Sequence, residues 1–385
     1  MSMQVYCDHC ATTPLDPRVE EAMRPFWRER FGNPSSLHQS GQRARAAVDQ
    51  ARRTVARAIG ASPEEIVFTS SATEANNLAI RGYLATETRR PVHMVSSCIE
   101  HSCVVEACRQ MERLDRQCSV TVVPCPENGV VRVEEVLAAL RPETALVALM
   151  HVNNETGMIQ PAEELARALQ GRGVRFLCDA VQSLGRVPLS VGDLRCDFLS
   201  LSSHKIYGPQ GVGALYVRGG RSIEPIITGG GQERGLRAGT ENVAGIVGFA
   251  AAVELAVREQ SARRAHLQQC EQAFLDALAR ARIGWLLNGA VSPRAPGILN
   301  LSFPAVHARD LLIALDLEEI AVSAGSACSS GLMQPSHVLT GMGLCTERAA
   351  TALRFSFGMT NTVEEARWVG ERVGAVLRRS AAGRA

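Results

Sequence analysis

Between Ile66 and Tyr216 the chain alternates short apolar runs with longer amphipathic ones, and no other feature narrows its fold as sharply. The runs Ile66–Thr69, Val92–Ser96, Val120–Val123, Ala145–Met150, Val174–Cys178, Phe198–Ser202 and Gly213–Val217 read as buried strands. Glu74–Leu84, Ser102–Leu114, Val133–Leu140 and Ala162–Gln170 read as the helices between them. Strand and helix alternating in this way imply an α/β fold, a mainly parallel sheet sandwiched by helices. Ligands of such sheets sit beyond the carboxyl ends of the strands, so the residues just after each run are where chemistry is expected. Past Gly229-Gly230-Gly231 the texture changes to a long helical region from Val243 to Arg282. Strands at Ile298–Phe303 and Leu353–Phe357 and helices at Ala308–Leu317 and Val363–Arg378 follow. This portion reads as a smaller α+β domain, which divides the chain into a large domain at 15–258 and a small one at 259–385 together with 1–14. The closing RRSAAGRA reads as frayed.

Charge and cysteine content exclude several function classes. The 385 residues carry 41 Lys plus Arg against 39 Asp plus Glu, a formal net charge of +2 that supports neither direct nucleic-acid contact nor a membrane surface. No uncharged apolar run approaches the ~20 residues of a membrane span. Twelve cysteines in a long chain whose first residues lack a basic-then-apolar pattern point to a reducing cytoplasm and free thiols. Cys7 and Cys10 have C-x-x-C spacing, and Cys98, Cys103 and Cys108 recur every five residues with His101 among them. A structural zinc site needs paired ligand clusters, and no second C-x-x-C exists, so no resident metal is expected.

The basic residues hold a sharper signal. Lys205 is the only lysine, against 40 arginines. Nucleotide composition accounts for arginine wherever a solvated charge suffices, but a guanidinium cannot lose its proton, whereas an amine can serve as base or Schiff-base nucleophile. In FLSLSSHKIYGPQG the lysine follows a strand that ends in Ser202, Ser203 and His204, small donors of the kind that hold a phosphate. An amine so placed suits pyridoxal phosphate; a surface lysine at a strand end is the plainer alternative.

Other strand ends offer matching groups. In VFTSSATEANNLAI a strand enters a helix through Thr69, Ser70, Ser71, Ala72 and Thr73, which form either an anion site or an ordinary N-cap. FLCDAVQS places Asp179 at a strand end with Gln182 three residues on; the carboxylate can keep a pyridine nitrogen protonated or cap the next helix. His101, after another strand, can stack on an aromatic ring or shuttle protons. MHVNNETG adds Asn153 and Asn154. In the second domain, Cys328 lies in the small-residue segment AVSAGSACSSGLMQPSHV, where an exposed thiol on a mobile loop is suited to nucleophilic attack. Arg354 in ALRFSFG can grip a carboxylate as a bidentate fork.

The ordered series DHCATTPLDPRV, FGNPSSLH, FTSSATEANNLAI, EH, MHVNNETG, DAVQSLG, SHKIYGPQGVGALYV, GGGQERGLRAGTEN, SAGSACSS and LRFSFG resembles the cysteine desulfurases of the NifS/IscS type, in the class V aminotransferase group of fold-type I pyridoxal phosphate enzymes. The resemblance covers nearly the whole chain. It implies that Lys205 carries the cofactor in Schiff-base linkage and removes the substrate's α-proton, and that Cys328 becomes a persulfide. It further implies that Asp179 pairs with the pyridinium nitrogen, Gln182 contacts the phenolic oxygen and His101 stacks on the ring. Ala72, Thr73, Ser202 and His204 would hold the phosphate, with Thr240 reaching in from the partner subunit of a homodimer. Asn154 and Arg354 would grip the substrate carboxylate, and Cys328 would also be the place for a transient iron–sulfur ligand. The implied activity is removal of sulfur from L-cysteine, giving L-alanine and a persulfide passed to a sulfur-acceptor protein. That transfer would feed iron–sulfur assembly or another sulfur-modification pathway such as tRNA thiolation or DNA phosphorothioation. A selenocysteine lyase or another class V transferase would keep Lys205, Asp179 and His101; a transaminase has no use for the Cys328 thiol.

The sequence departs from the family pattern at Ser71 and Ser203, where glycine is usual, and at Cys7 and Cys10. The long tail by which housekeeping members dock an iron–sulfur scaffold is not recognisable in RRSAAGRA.

Overall fold

The computed structural model describes residues 5–219, 221–304, 306–324 and 335–382. Its centre is a seven-stranded sheet in the order Ile66–Thr69, Gly213–Val217, Phe198–Ser202, Arg175–Asp179, Thr144–Ala148, Val92–Ser97 and Cys118–Val123. Gly213–Val217 runs antiparallel to both its neighbours, and the remaining pairs are parallel. Six strands therefore end at one edge of the sheet. The inner strands are buried along their length, save for the half-buried Arg175 that opens Arg175–Asp179, which is why they read as apolar runs without alternation.

Helices cover both faces. Gln39–Ile59 turns Ala44, Val48, Ala51, Val55 and Ile59 inward at three- and four-residue spacing, and stops at Gly60, whose φ of 72° a side chain would resist. It packs on Val243–Arg258, a helix buried on most sides. The helical region expected as one piece from Val243 to Arg282 is two helices, Val243–Arg258 and Gln260–Arg280. They part at Glu259, whose carboxylate accepts from Arg18 at 2.6 Å and Arg263 at 3.0 Å. At the other end of the chain, the helix expected at Val363–Arg378 continues to Ala382, so part of the tail read as frayed is helical.

A second, antiparallel sheet orders Ala352–Ser356, Ile298–Ser302 and Leu286–Leu287. Its apolar core is aromatic: the Phe274 ring lies 4.8 Å from Phe355 and 5.5 Å from Phe357. Val5 and Cys7 join this core, because Val5–Tyr6 pairs in parallel with Ile320–Ala321. Val338 and Leu339 from the helix His337–Gly341, and Met342 just after it, pack instead into the core beneath the large sheet. No helix of the described residues is long and apolar enough to cross a membrane.

One buried ion pair fastens the glycine-rich loop after the large sheet to its edge strand. Glu233 accepts from Arg52 at 2.6 and 2.7 Å and from the Phe68 amide at 2.8 Å, and Arg52 also donates to the Ile66 carbonyl. Breaking a buried pair strands the other charge, so Glu233→Ala is expected to lower stability by about 3–5 kcal/mol, measured by equilibrium urea unfolding.

Candidate active site

The strand ends converge on a cleft of about 630 Å³. Lys205 lies at its floor, three residues past the end of Phe198–Ser202, in a short 3₁₀ turn from Ser203 to Lys205. Its Nζ donates to the carbonyls of Cys10 and Ala11, both at 2.6 Å. Burial pulls the Lys205 pKa down to about 8, with the Arg354 charge adding to the effect and Cys10 opposing it. The amine is thus neutral to a useful extent near physiological pH, as a nucleophile or base must be. The flanking His204 is pushed down to about 4, first by burial and then by the Lys205 charge, so it is a neutral imidazole.

Asp179 ends the neighbouring strand. One carboxylate oxygen accepts from the Val181 amide at 3.0 Å and the other from Asn76 Nδ2 at 2.9 Å, which fixes the group although it is buried. Gln182, one turn on, donates from Nε2 to the Cys10 carbonyl at 3.0 Å. His101 caps the helix Ser102–Leu114 and faces the cleft. The protein around its ring lowers its pKa, chiefly by burial, against the opposing pull of Asp179.

Ala72 and Thr73 open the helix after Ile66–Thr69, with Ser71 as its N-cap accepting from the Glu74 amide. Amides in a first helical turn lack intrahelical partners and favour an anion. The turn lies tight against the sheet because of Gly213: a Cβ there would stand 2.6 Å from the Ser71 carbonyl carbon and 2.9 Å from the Ala72 nitrogen. Ser202 completes this side of the cleft.

The second sheet supplies the opposite wall. Arg354 is buried; it donates to the Asn154 carbonyl at 3.0 Å and to Asp8 at 2.7 Å. Asn153 turns away, tying its own loop through the Ile99 carbonyl and the Glu155 and Thr156 amides, whereas Asn154 lines the cleft.

Ten of the expected residues therefore line one cleft: Ala72, Thr73, His101, Asn154, Asp179, Gln182, Ser202, His204, Lys205 and Arg354. Thr240 is exposed and does not line it. Cys328 lies outside the described residues. Sequence reading missed Asp8, Asn76, Cys103, Glu155 and His337. Asn76 had a detectable signal, since it stands four residues after Ala72 on the same helix face. Glu155 and His337 had none: the buried Glu155 accepts from Ser336 at 2.5 Å, and His337 donates to the Glu100 carbonyl at 2.9 Å, pairings that only the fold creates.

Three buried polar atoms of the cleft have no hydrogen-bond partner among the described residues: Gln182 Oε1, Asn154 Oδ1 and Arg354 Nε. An unsatisfied buried group costs about 1–3 kcal/mol, which a polar ligand relieves. Two acceptors and a cationic donor, set beside a tuned lysine and a fixed carboxylate, suit a hydroxylated anionic ring and a carboxylated substrate. The parallel sheet and this donor set define a pyridoxal phosphate enzyme of fold-type I.

The aminotransferase class-V model matches residues 5–369. The chain is 44% identical to a cysteine desulfurase IscS from Dictyoglomus turgidum, over 95% of this chain and 92% of that one. A solved NifS-like protein superposes with a TM-score of 0.92 at 37% identity, covering 98% of this chain and all of the other. A solved SspA in complex with cysteine superposes with a TM-score of 0.80 at 35% identity, covering 92% and 99%. The chain belongs to the class-V aminotransferase family and, within it, to the pyridoxal phosphate-dependent cysteine desulfurases.

Borohydride reduction of the cofactor-loaded protein is expected to attach the cofactor at Lys205 alone, as checked by peptide mass mapping. Because the neutral amine is the reactive form, cofactor uptake by the cofactor-free protein should quicken as pH rises, with a midpoint near 8. Stopped-flow absorbance measures it, and Lys205→Arg should show no uptake of this kind.

Proposed function

We propose that the protein removes sulfur from L-cysteine, releases L-alanine, and carries the sulfur as a persulfide on Cys328 to an acceptor protein. The observation that carries this reading is the convergence of Lys205, Asp179, Gln182 and His101 from three strand ends on one cleft whose far wall is Arg354. Residues 15–258 form the cofactor-holding domain, and 259–385 with 1–14 the smaller one. The working unit is a cytoplasmic homodimer, with Thr240 of the partner subunit completing the phosphate site.

Bound through Lys205, pyridoxal phosphate supplies an electron sink for the bond-breaking at the substrate's α-carbon. Ala72, Thr73, Ser202 and His204 would hold its phosphate, Asp179 its ring nitrogen, Gln182 its hydroxyl and His101 its face. Arg354 takes the substrate carboxylate with its Nε, which has no partner among the described residues, and Asn154 steadies the same end through its donating Nδ2. Lys205 Nζ, released when substrate binds, removes the α-proton. The Cys328 thiolate then attacks the substrate sulfur. The carbon–sulfur bond breaks with its electron pair left on the carbon side, and the three-carbon fragment takes up two protons, one at the β-carbon and one in place of that removed from the α-carbon, and leaves as alanine.

Cys328→Ala is expected to lower alanine formation from L-cysteine by roughly 10³-fold or more, as for loss of a nucleophile, with cofactor absorbance unchanged. Alanine and persulfide assays check both. Turnover of L-selenocysteine but not L-cysteine would assign the protein to the selenocysteine lyases instead. Arg354→Lys, which replaces a planar fork by a point charge, should raise KM for L-cysteine about tenfold or more, read from steady-state kinetics.

A further inference from the structure

The run Cys98, Cys103 and Cys108 around His101 binds no metal in any reading above, and among the described residues no group of three or more suitable ligands exists. The three thiols have separate surroundings. Cys108 is in the core, and Cys98 donates to the Gly341 carbonyl at 3.2 Å. Cys103 lines the cleft and touches His101.

Two groups of Cys103 meet His101 Nδ1: the backbone amide at 3.2 Å and Sγ at 3.0 Å. A backbone N–H can only donate, so Nδ1 is an acceptor and carries no proton of its own. Sγ therefore donates its S–H to the same nitrogen. On its other side Sγ accepts from Asn76 Nδ2 at 3.3 Å, and that Nδ2 also donates to Asp179 Oδ2 at 2.9 Å. A continuous path thus joins the carboxylate at one strand end to the imidazole at another, and a thiol that accepts one hydrogen bond donates a stronger one.

We propose that Cys103 is a positioning residue for the desulfurase reaction, whose thiol holds His101 in the tautomer with the proton on Nε2 and ties it through Asn76 to Asp179. Burial and the Asp179 charge push the Cys103 thiol up to about 12, so it keeps the hydrogen it donates. Protonating His101 at Nδ1 would require both donors to leave. The charged groups that bear on His101 are Asp179, Lys205, His337 and Arg354; Asp179 favours the imidazolium, the other three oppose it. Loss of the S–H bond leaves that balance with one fewer term against protonation. The consequence for turnover rests on His101 facing the cofactor, whereas the tautomer stands on the hydrogen bonds alone.

The test is nitrogen NMR of the cofactor-loaded protein with ¹⁵N-labelled histidine, the His101 signals being assigned by their loss in His101→Asn. In the wild-type protein at neutral pH, His101 should show an unprotonated Nδ1 and a protonated Nε2. Cys103→Ala should raise the His101 pKa by about 0.5 unit, the size of a weak hydrogen bond, and move the acid limb of the kcat profile with it while KM stays. Cys103→Ser, which keeps a donor, should restore the wild-type value. A proton on Nδ1 of the wild-type protein overturns the proposal without recourse to any variant, and so does one pKa shared by all three proteins. Absence of alanine from the wild-type sample would overturn the desulfurase reading and leave the tautomer result standing.

Discussion

The seven residues from Cys7 to Thr13 tie the two sheets together, and the cleft depends on that tie. Cys7 is bonded through its amide to the Ala321 carbonyl and through its carbonyl to the Ser356 amide, both at 2.8 Å. His9 bonds to the Ser356 carbonyl, and Gly358 leaves it room, since a Cβ there would fall 2.0 Å from the imidazole. Cys10 and Ala11 then present their carbonyls to Lys205, and Thr13 closes on the His204 carbonyl at 2.9 Å. Through this strap the spacing between Lys205 on one sheet and Arg354 on the other is set by backbone hydrogen bonds, the least adjustable contacts a chain makes.

Most of the architecture was legible because buried parallel strands must be apolar throughout, and each of the seven expected strands lies within two residues of its observed bounds, Ala145–Met150 running two residues too far. Those two, Leu149 and Met150, are buried but belong to the connection that leads to Asn154 in the cleft. The kink at Glu259 was hidden because helix-forming residues continue on both sides; what separates the helices is a contact with Arg18, some 240 residues away in sequence. For the cleft, the side chains that follow strands were readable from topology alone. Those that complete it from elsewhere were not. Asp8 meets Arg354 across 346 residues of chain, and Glu155 meets Ser336 across 181.

The departures at Ser71 and Cys10 acquire physical meaning in the fold. Ser71 uses its hydroxyl to cap its own helix, a bond a glycine cannot make. Cys10 meets Lys205 through its carbonyl, a contact that any residue there would offer, and its thiol adds an electrostatic pull that opposes the lowering of the Lys205 pKa. Electrostatically the cleft is a dense, buried set of both signs. Glu100, sealed beneath it, is pushed up to about 7 by burial even though Ser97 and the Met150 amide bond to its carboxyl. Burial raises the Glu155 pKa as well. Burial thus disfavours a negative charge on both carboxyls, of which Glu155 lines the cleft.

Arg354 is already immobilised in the folded protein. Free arginine side chains surrender about 2 kcal/mol of rotamer entropy when they are ordered, and here the Asp8 carboxylate and the Asn154 carbonyl impose that order during folding. In the reaction proposed above, an arriving amino acid would meet a fork whose plane and reach are settled, and recognition would become a test of the visitor's length: the distance from its carboxylate to its reacting sulfur measured against a fixed ruler.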